Sequence, residues 1–189
     1  MRDININKEK IINSMLFILN NLGGKSDFHK IFKILYFADQ KHLITYGFLI
    51  TGDFYIAMQN GPVPSKLYDV LKAIRGDSFW SSTLPHSYED LFEVESHYVT
   101  AKKAADIDEL AESDVECLLE SINENKSLNF KQLKDKSHQL AWENARNDEN
   151  NFDNVIDIID IAKEAKVNEE ILKYVLLNLE NKQVSKIYA

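Results

Sequence analysis

The side chains able to carry chemistry in this chain are few and widely spaced. Its five histidines, His29, His42, His86, His97 and His138, include no pair at helical ligand spacing, and none stands beside a cysteine. No metal-ligand set is therefore written in the chain. The single cysteine, Cys117, excludes an intrachain disulfide and a multi-thiolate zinc site; between Glu116 and Leu118 on a predicted helix, it reads as a small core residue. Asp39 and His42 stand three apart on another predicted helix. With Asp53 they form the one acid–base cluster the chain offers, although such an i,i+3 pair is more often a surface ion pair than a catalytic dyad. Glycine-rich phosphate loops and the Gly-x-Ser-x-Gly elbow are absent. The sequence predicts no catalytic residue, no metal and no cofactor.

The elements that must position these groups follow from periodicity. The chain has 189 residues, against about 150 for a typical domain, which predicts one domain with an appendage. With 44% hydrophobic and 28% charged residues, the composition is that of a folded globular protein. Ile11, Ile12, Met15, Leu16, Ile18, Leu19 and Leu22 recur at spacings of three and four, predicting an amphipathic helix from about residue 8 that stops at Gly23-Gly24. Ser26 or Asp27 then caps a second helix, apolar on most sides from Phe28 to Ala38, ending near Tyr46-Gly47. Phe48-Leu49-Ile50 and Phe54 to Met58 read as short strands around the turn Thr51-Gly52-Asp53. Asn60-Gly61-Pro62-Val63-Pro64 reads as a breaker, with Pro64 or Ser65 opening a helix. A loop through Gly76 and Pro85 follows, then a hairpin from Leu91 to Ala101 turning at Ser96-His97.

From residue 106 onward the pattern is helical. Ser113 is expected to cap a helix with Val115, Leu118, Leu119 and Ile122 as its buried stripe. Further helices are expected at Ser127–Lys136, at Phe152–Lys166 and after an Asn168 cap. The fold class is α+β, a mostly helical single domain with a small antiparallel β-sheet. The uncharged run from Ile11 to Gly24 is short of the roughly 20 apolar residues of a membrane span, and Asn21-Leu22-Gly23-Gly24-Lys25 makes a poor cleavage site, so neither membrane nor export is expected. A lone cysteine fits a reducing cytoplasm.

Charge is uneven. The net of −8 divides into +1 for residues 1–105 and −9 for the remainder. An acidic half repels phosphate backbones, so direct nucleic-acid binding is not expected and a basic protein partner is the natural one. Asp157, Asp160 and Glu164 are expected to be exposed members of that acidic surface.

The segment from Ile31 to Tyr68 concentrates turn chemistry and aromatics. Lys33-Ile34-Leu35-Tyr36-Phe37-Ala38-Asp39, His42, Tyr46-Gly47, Ile50-Thr51-Gly52-Asp53-Phe54-Tyr55-Ile56-Ala57-Met58 and Gly61-Pro62-Val63-Pro64-Ser65-Lys66-Leu67-Tyr68-Asp69 together resemble the Panacea domain, an antitoxin domain also called SocA-like and found in phage-associated proteins. The resemblance resumes at Leu110 to Asp114, and at Ser137-His138 with Ala141-Trp142. It suggests residues 1–146 as the domain and 147–189 as a helical extension packed on it or appended to it. It implies an antitoxin that neutralises a cognate toxin protein by direct binding, or alternatively an adaptor that delivers the toxin to an ATP-dependent protease. It carries over no catalytic residue. The readings from other classes are an enzyme of phage or mobile-element origin using Asp39, His42 and Asp53, and a transcriptional regulator, for which only scattered lysines are available.

Within this segment, Gly52 is expected to supply a positive φ and Asp53 to accept backbone hydrogen bonds in the turn, with Gly61, Pro62 and Pro64 fixing the path into the next helix. Trp142 and His138 are expected to be a core aromatic and its hydrogen-bonded neighbour. The candidate partner-binding residues are Tyr36, Asp39, Tyr55, Met58, Pro62, Pro64 and Tyr68, read as a rigid aromatic surface around the Gly61–Ser65 loop.

Overall fold

The first helix, α1, runs Lys8–Asn21 and starts where the Asn7 side chain accepts from the Lys10 N–H. It belongs to a computed structural model that describes residues 7–77 and 86–187. A short strand, β1 (Lys25–Asp27), leads into α2 (Phe28–Tyr46), whose N-cap is Asp27 and whose C-cap is Gly47 in the left-handed conformation, φ 76°. Both caps match the residue chemistry: Asp27 accepts from the Lys30 N–H at 2.9 Å, and glycine takes positive φ without a Cβ penalty.

The stretch Phe48 to Ile50 is not a strand. Its path is fixed by the Ile50 N–H, which donates to the buried Asp39 carboxylate at 2.7 Å. The strand that does form, β2 (Tyr55–Met58), pairs antiparallel with β3 (Gly61–Pro64). Two prolines made this second segment read as a breaker. In the observed register Pro62 and Pro64 face Ala57 and Tyr55, alternating with Val63 and Gly61, so the missing N–H groups fall at positions that need no donor toward β2. The outward backbone of β2 is satisfied from the other side: Ala57 N–H donates to Asn154 O and Ile156 N–H to Tyr55 O, each at 2.8 Å.

Helix α3 (Ser65–Arg75) follows directly and ends at Gly76. The loop expected to reach Pro85 lies, from residue 78 to 85, outside the described residues. A 3₁₀ turn over His86–Asp90 precedes the hairpin of β4 (Phe92–Glu95) and β5 (Tyr98–Ala101), with Ser96 at φ 55° in its turn. β1 adds to β5, giving the order β1-β5-β4.

Helix α4 (Glu112–Asn125) begins two residues earlier than a Ser113 cap would give: Ala111 is the N-cap, and its N–H is taken by the Asp114 carboxylate at 2.8 Å. Its buried stripe includes Cys117, Leu118, Ser121 and Ile122, whereas Leu119 is exposed. Then come α5 (Phe130–Ser137), α6 (Leu140–Asn147), α7 (Ile158–Glu164) and α8 (Glu169–Ile187). The helix expected from Phe152 is thus shorter, because residues 154–156 are used as an edge against β2.

Helix α2 explains its own composition. Ile31, Ile34, Leu35 and Ala38 enter one apolar cluster with α1, α4, Phe92 and Val99, while Tyr36, Phe37 and Leu43 enter a second with Tyr55, Leu133, Ala141, Ile156, Ile161 and Val175. It is packed on two sides, so Leu35→Ala would cost about 2–5 kcal/mol. The segment beyond residue 147 contributes Ile156, Ile161, Ala162 and Val175 to the second cluster. Among the described residues no helix is long and apolar enough to cross a membrane.

Candidate functional site

Three of the aromatic and acidic candidates are interior. Tyr36, Asp39 and Tyr55 are 0%, 0% and 1% exposed. The Tyr55 phenol donates to Asp39 at 2.6 Å, and the Tyr36 phenol donates to Glu164 at 3.0 Å. Pro62 and Pro64 are buried as well. These five cannot touch a partner while the fold is intact, which corrects the aromatic surface expected around the Gly61–Ser65 loop. Long-range hydrogen bonds, invisible in local sequence, draw the two tyrosines inward. Met58 and half-buried Tyr68 do reach the surface.

The acid–base cluster does not assemble. Asp39 bonds Ile50 and Tyr55. Burial pushes its carboxyl up to about 7, and those two donors pull back against that rise. His42 faces the other way, with Nδ1 against Phe48 O at 2.9 Å and Nε2 near Ser113 Oγ at 3.2 Å and Asp114 Oδ1 at 3.3 Å. Burial lowers its pKa, while the Phe48 carbonyl and Asp114 favour its protonation. Asp114 is completed by Lys10 Nζ at 2.6 Å.

Asp53 is spent on the start of α3 rather than on its own turn alone. It accepts from Phe54 N–H at 2.8 Å, Lys66 N–H at 2.9 Å and Leu67 N–H at 3.1 Å, standing in for a cap that Pro64 cannot supply. Burial raises its carboxyl to about 6 despite those donors. Gly52 has φ 67°, as the turn demands.

What the structure does assemble is an open cleft of about 890 Å³ between the start of α2, the β2–β3 turn, β5 and α5. Its lining includes Met58 and Tyr68 from the candidates, together with His29, Lys33, Phe32, His97, Tyr98, Phe130 and Arg146. Met58, Tyr98 and Phe130 are 37%, 51% and 52% exposed, large apolar groups at an open mouth. Among the described residues the cationic groups of this lining outnumber its one carboxylate, Asp27, so its sign is opposite to that of the acidic half.

Lys33 is fully buried, with Nζ donating to Pro62 O at 2.7 Å, and burial lowers its pKa to about 7. Gly61 is required beside it. At φ 101°, a Cβ there would stand 2.8 Å from Lys33 Cε and 2.5 Å from Ser137 Oγ. His29 stacks on Phe130 with centroids 4.0 Å apart. Neither of its ring nitrogens makes a hydrogen bond of normal geometry, and burial, then Lys33, lower its pKa to about 4 against the opposing influence of Asp27 and the Asn60 backbone. His138 stacks flat on Trp142, centroids 3.8 Å apart. The pair is half-buried rather than core, and Trp142 Nε1 donates to Met58 O at 2.8 Å, tying α6 to the β2–β3 turn.

His29 carries no local signal in the sequence. Lys33 does: a lysine inside an otherwise apolar helical run must be buried with a partner or snorkel out.

The fold and cleft define a mostly helical α+β protein with small antiparallel sheets and an open apolar and basic recess. The sequence model of the family described as antitoxin SocA-like, Panacea domain, matches residues 31–143. The chain belongs to that family, and membership supports an antitoxin role. No curated protein and no solved structure matches the chain.

Proposed function

We propose that the chain neutralises a cognate protein toxin in the cytoplasm by binding it directly, and that the toxin docks at the mouth of the cleft. The observation that carries this reading is the concentration of exposed Met58, Tyr98 and Phe130 around a recess that also holds Tyr68. Large, semi-rigid apolar side chains around a pocket are what a protein hot spot uses, since they offer contact area at small entropic cost. The buried tyrosines serve by holding the β2–β3 hairpin against α2.

The test is co-expression with the product of the neighbouring reading frame. Growth should be rescued and the two proteins should co-purify. Met58→Glu and Phe130→Ala should each weaken the complex by about thirtyfold or more, the scale of a hot-spot loss, with the melting temperature of the free chain retained. Rescue without association sinks direct inhibition. Rescue that disappears in protease-deficient cells would assign adaptor action instead.

A further inference from the structure

Two basic side chains, His29 and Lys33, line the floor of the cleft, and His138, outside its lining, lies near enough to act on His29. Lys33 is 0% exposed, and its ammonium has one acceptor among the described residues, the Pro62 carbonyl. An ammonium has three donors, so two are unspent. His29 has both ring nitrogens buried without a hydrogen bond of normal geometry, the Asn60 backbone nearby favouring its protonation, and His138 has Nε2 buried and unpaired. These groups lie close enough to influence one another: Lys33 and His138 both disfavour a proton on His29. Among the described residues the lining holds one acid, Asp27, which accepts from the N–H of Lys30 at the head of α2 and also favours a proton on His29. A buried cation and an unpaired ring N–H are costly when left so, and an entering anion would accept from the Lys33 ammonium and from the one N–H that a neutral His29 ring carries. The walls above are apolar, supplied by Phe32, Met58 and Tyr68.

We propose that this floor is a carboxylate subsite, in which an acidic side chain carried on an apolar segment of the bound toxin enters the cleft. Its oxygens accept hydrogen bonds from Lys33 Nζ and from the His29 ring. This rests on the docking reading above and adds the sign and chemistry of what is inserted. A protein segment fits better than a free small acid, because the exposed rim of Met58, Tyr98 and Phe130 would be left uncovered by a molecule that fills only the floor.

The probe is 3-phenylpropionate, compared with its neutral counterpart 3-phenylpropan-1-ol, titrated into the full chain while the imidazole signals of His29 and His138 are followed by NMR. The acid should bind about tenfold tighter than the alcohol, the scale of a charge-assisted hydrogen bond, and should move both histidine signals. Lys33→Met should bring the two ligands to near-equal affinity, and His29→Gln should lower the preference in part. His29→Gln keeps the test open if Lys33→Met fails to fold. Equal binding of acid and alcohol by the unaltered chain, or a preference that survives both substitutions, overturns the subsite.

With the toxin, excess 3-phenylpropionate should compete, and His29→Gln should weaken the complex. An acid that binds at these residues without competing belongs to a free ligand and overturns the assignment to the toxin. Met58→Glu with undiminished toxin affinity would instead sink the docking face and leave the acid titration standing, so the two failures are separable.

Discussion

The Tyr55 phenol donates to the Asp39 carboxylate across 2.6 Å, joining the β2 strand to the middle of α2 in a site where both residues are buried. The same carboxylate holds the Ile50 N–H. Asp39 thus fixes both the loop after α2 and the hairpin that walls the cleft.

Removing one partner exposes the value of this pair. Tyr55→Phe leaves the buried carboxylate with one donor fewer and should cost about 1–3 kcal/mol, read as a lowered denaturation midpoint. Burial raises the Asp39 carboxyl from an unfolded value near 4 to about 7, so the folded state holds the extra proton between those limits. The contribution of this group is therefore present at low pH and fades as pH climbs toward 7, by about 1 kcal/mol per pH unit at most. Asp39→Asn should flatten that part of the stability profile relative to the unaltered chain. A difference profile that is level from pH 5 to 7 would refute the buried titration.

Two glycines should respond unequally. Gly52→Val meets open space, so its cost is backbone strain alone, about 1 kcal/mol or somewhat more. Gly61→Ala adds collision with Lys33 Cε and Ser137 Oγ to a positive φ and should be clearly worse. Equal melting temperatures for the two variants would contradict the geometry. Asp53→Asn, mild if Asp53 served only its own turn, is expected to cost about 1–3 kcal/mol, because an amide NH₂ would confront the Lys66 or Leu67 N–H.

Lys33 gives the opposite pH sign to Asp39. Its ammonium falls to about 7 by burial, from an unfolded value near 10.5, so the unfolded chain holds more protons between these limits and stability rises with pH there. Lys33→Met removes that slope. The substituted chain should be the more stable near pH 7, with the gap closing by up to about 1 kcal/mol per pH unit toward pH 9. Chemical denaturation at the two pH values decides, and a gap that widens with pH would overturn the assignment.

Legibility in the sequence followed the range of the interaction. Asp27, Gly47 and Gly52 were readable because caps and turns are made with neighbours in the chain. Asn168 was too, its side chain accepting from the Ile171 N–H. The burial of Tyr36 was not, since its acceptor Glu164 stands 128 residues away. β3 was missed because proline forbids a ladder donor only at alternate positions, and the register that spares Pro62 and Pro64 depends on β2. The cleft itself was illegible: it joins α2, β5 and α5 through tertiary packing, so Met58 and Tyr68 were named without His29 or Phe130 beside them.

Glu164 turns the same argument into a test of the acidic half. Read as sequence, Asp157, Asp160 and Glu164 form one exposed trio, available to steer a basic partner. In the fold they diverge. Asp157 caps α7 through the Ile159 N–H, and Asp160 accepts from Asn144 Nδ2 at 3.0 Å. Half-buried Glu164 accepts from the Tyr36 phenol at 3.0 Å, the Gln40 amide at 2.6 Å and the Ala141 N–H at 2.8 Å, linking α2, α6 and α7. Glu164→Gln replaces one acceptor oxygen with a donor facing another donor, and should cost about 1–3 kcal/mol, or a fall of about 3–10 °C in Tm for a chain of this size. Asp160→Asn, which touches one amide of Asn144 and the exposed Lys163, should cost less, within about 1 kcal/mol. A slowed toxin association in Glu164→Gln is therefore a folding effect unless the exposed glutamates of α4, Glu112 and Glu116, slow it equally when neutralised with Tm unchanged. Matching Tm values for the Asp160 and Glu164 variants would refute the three-helix role of Glu164.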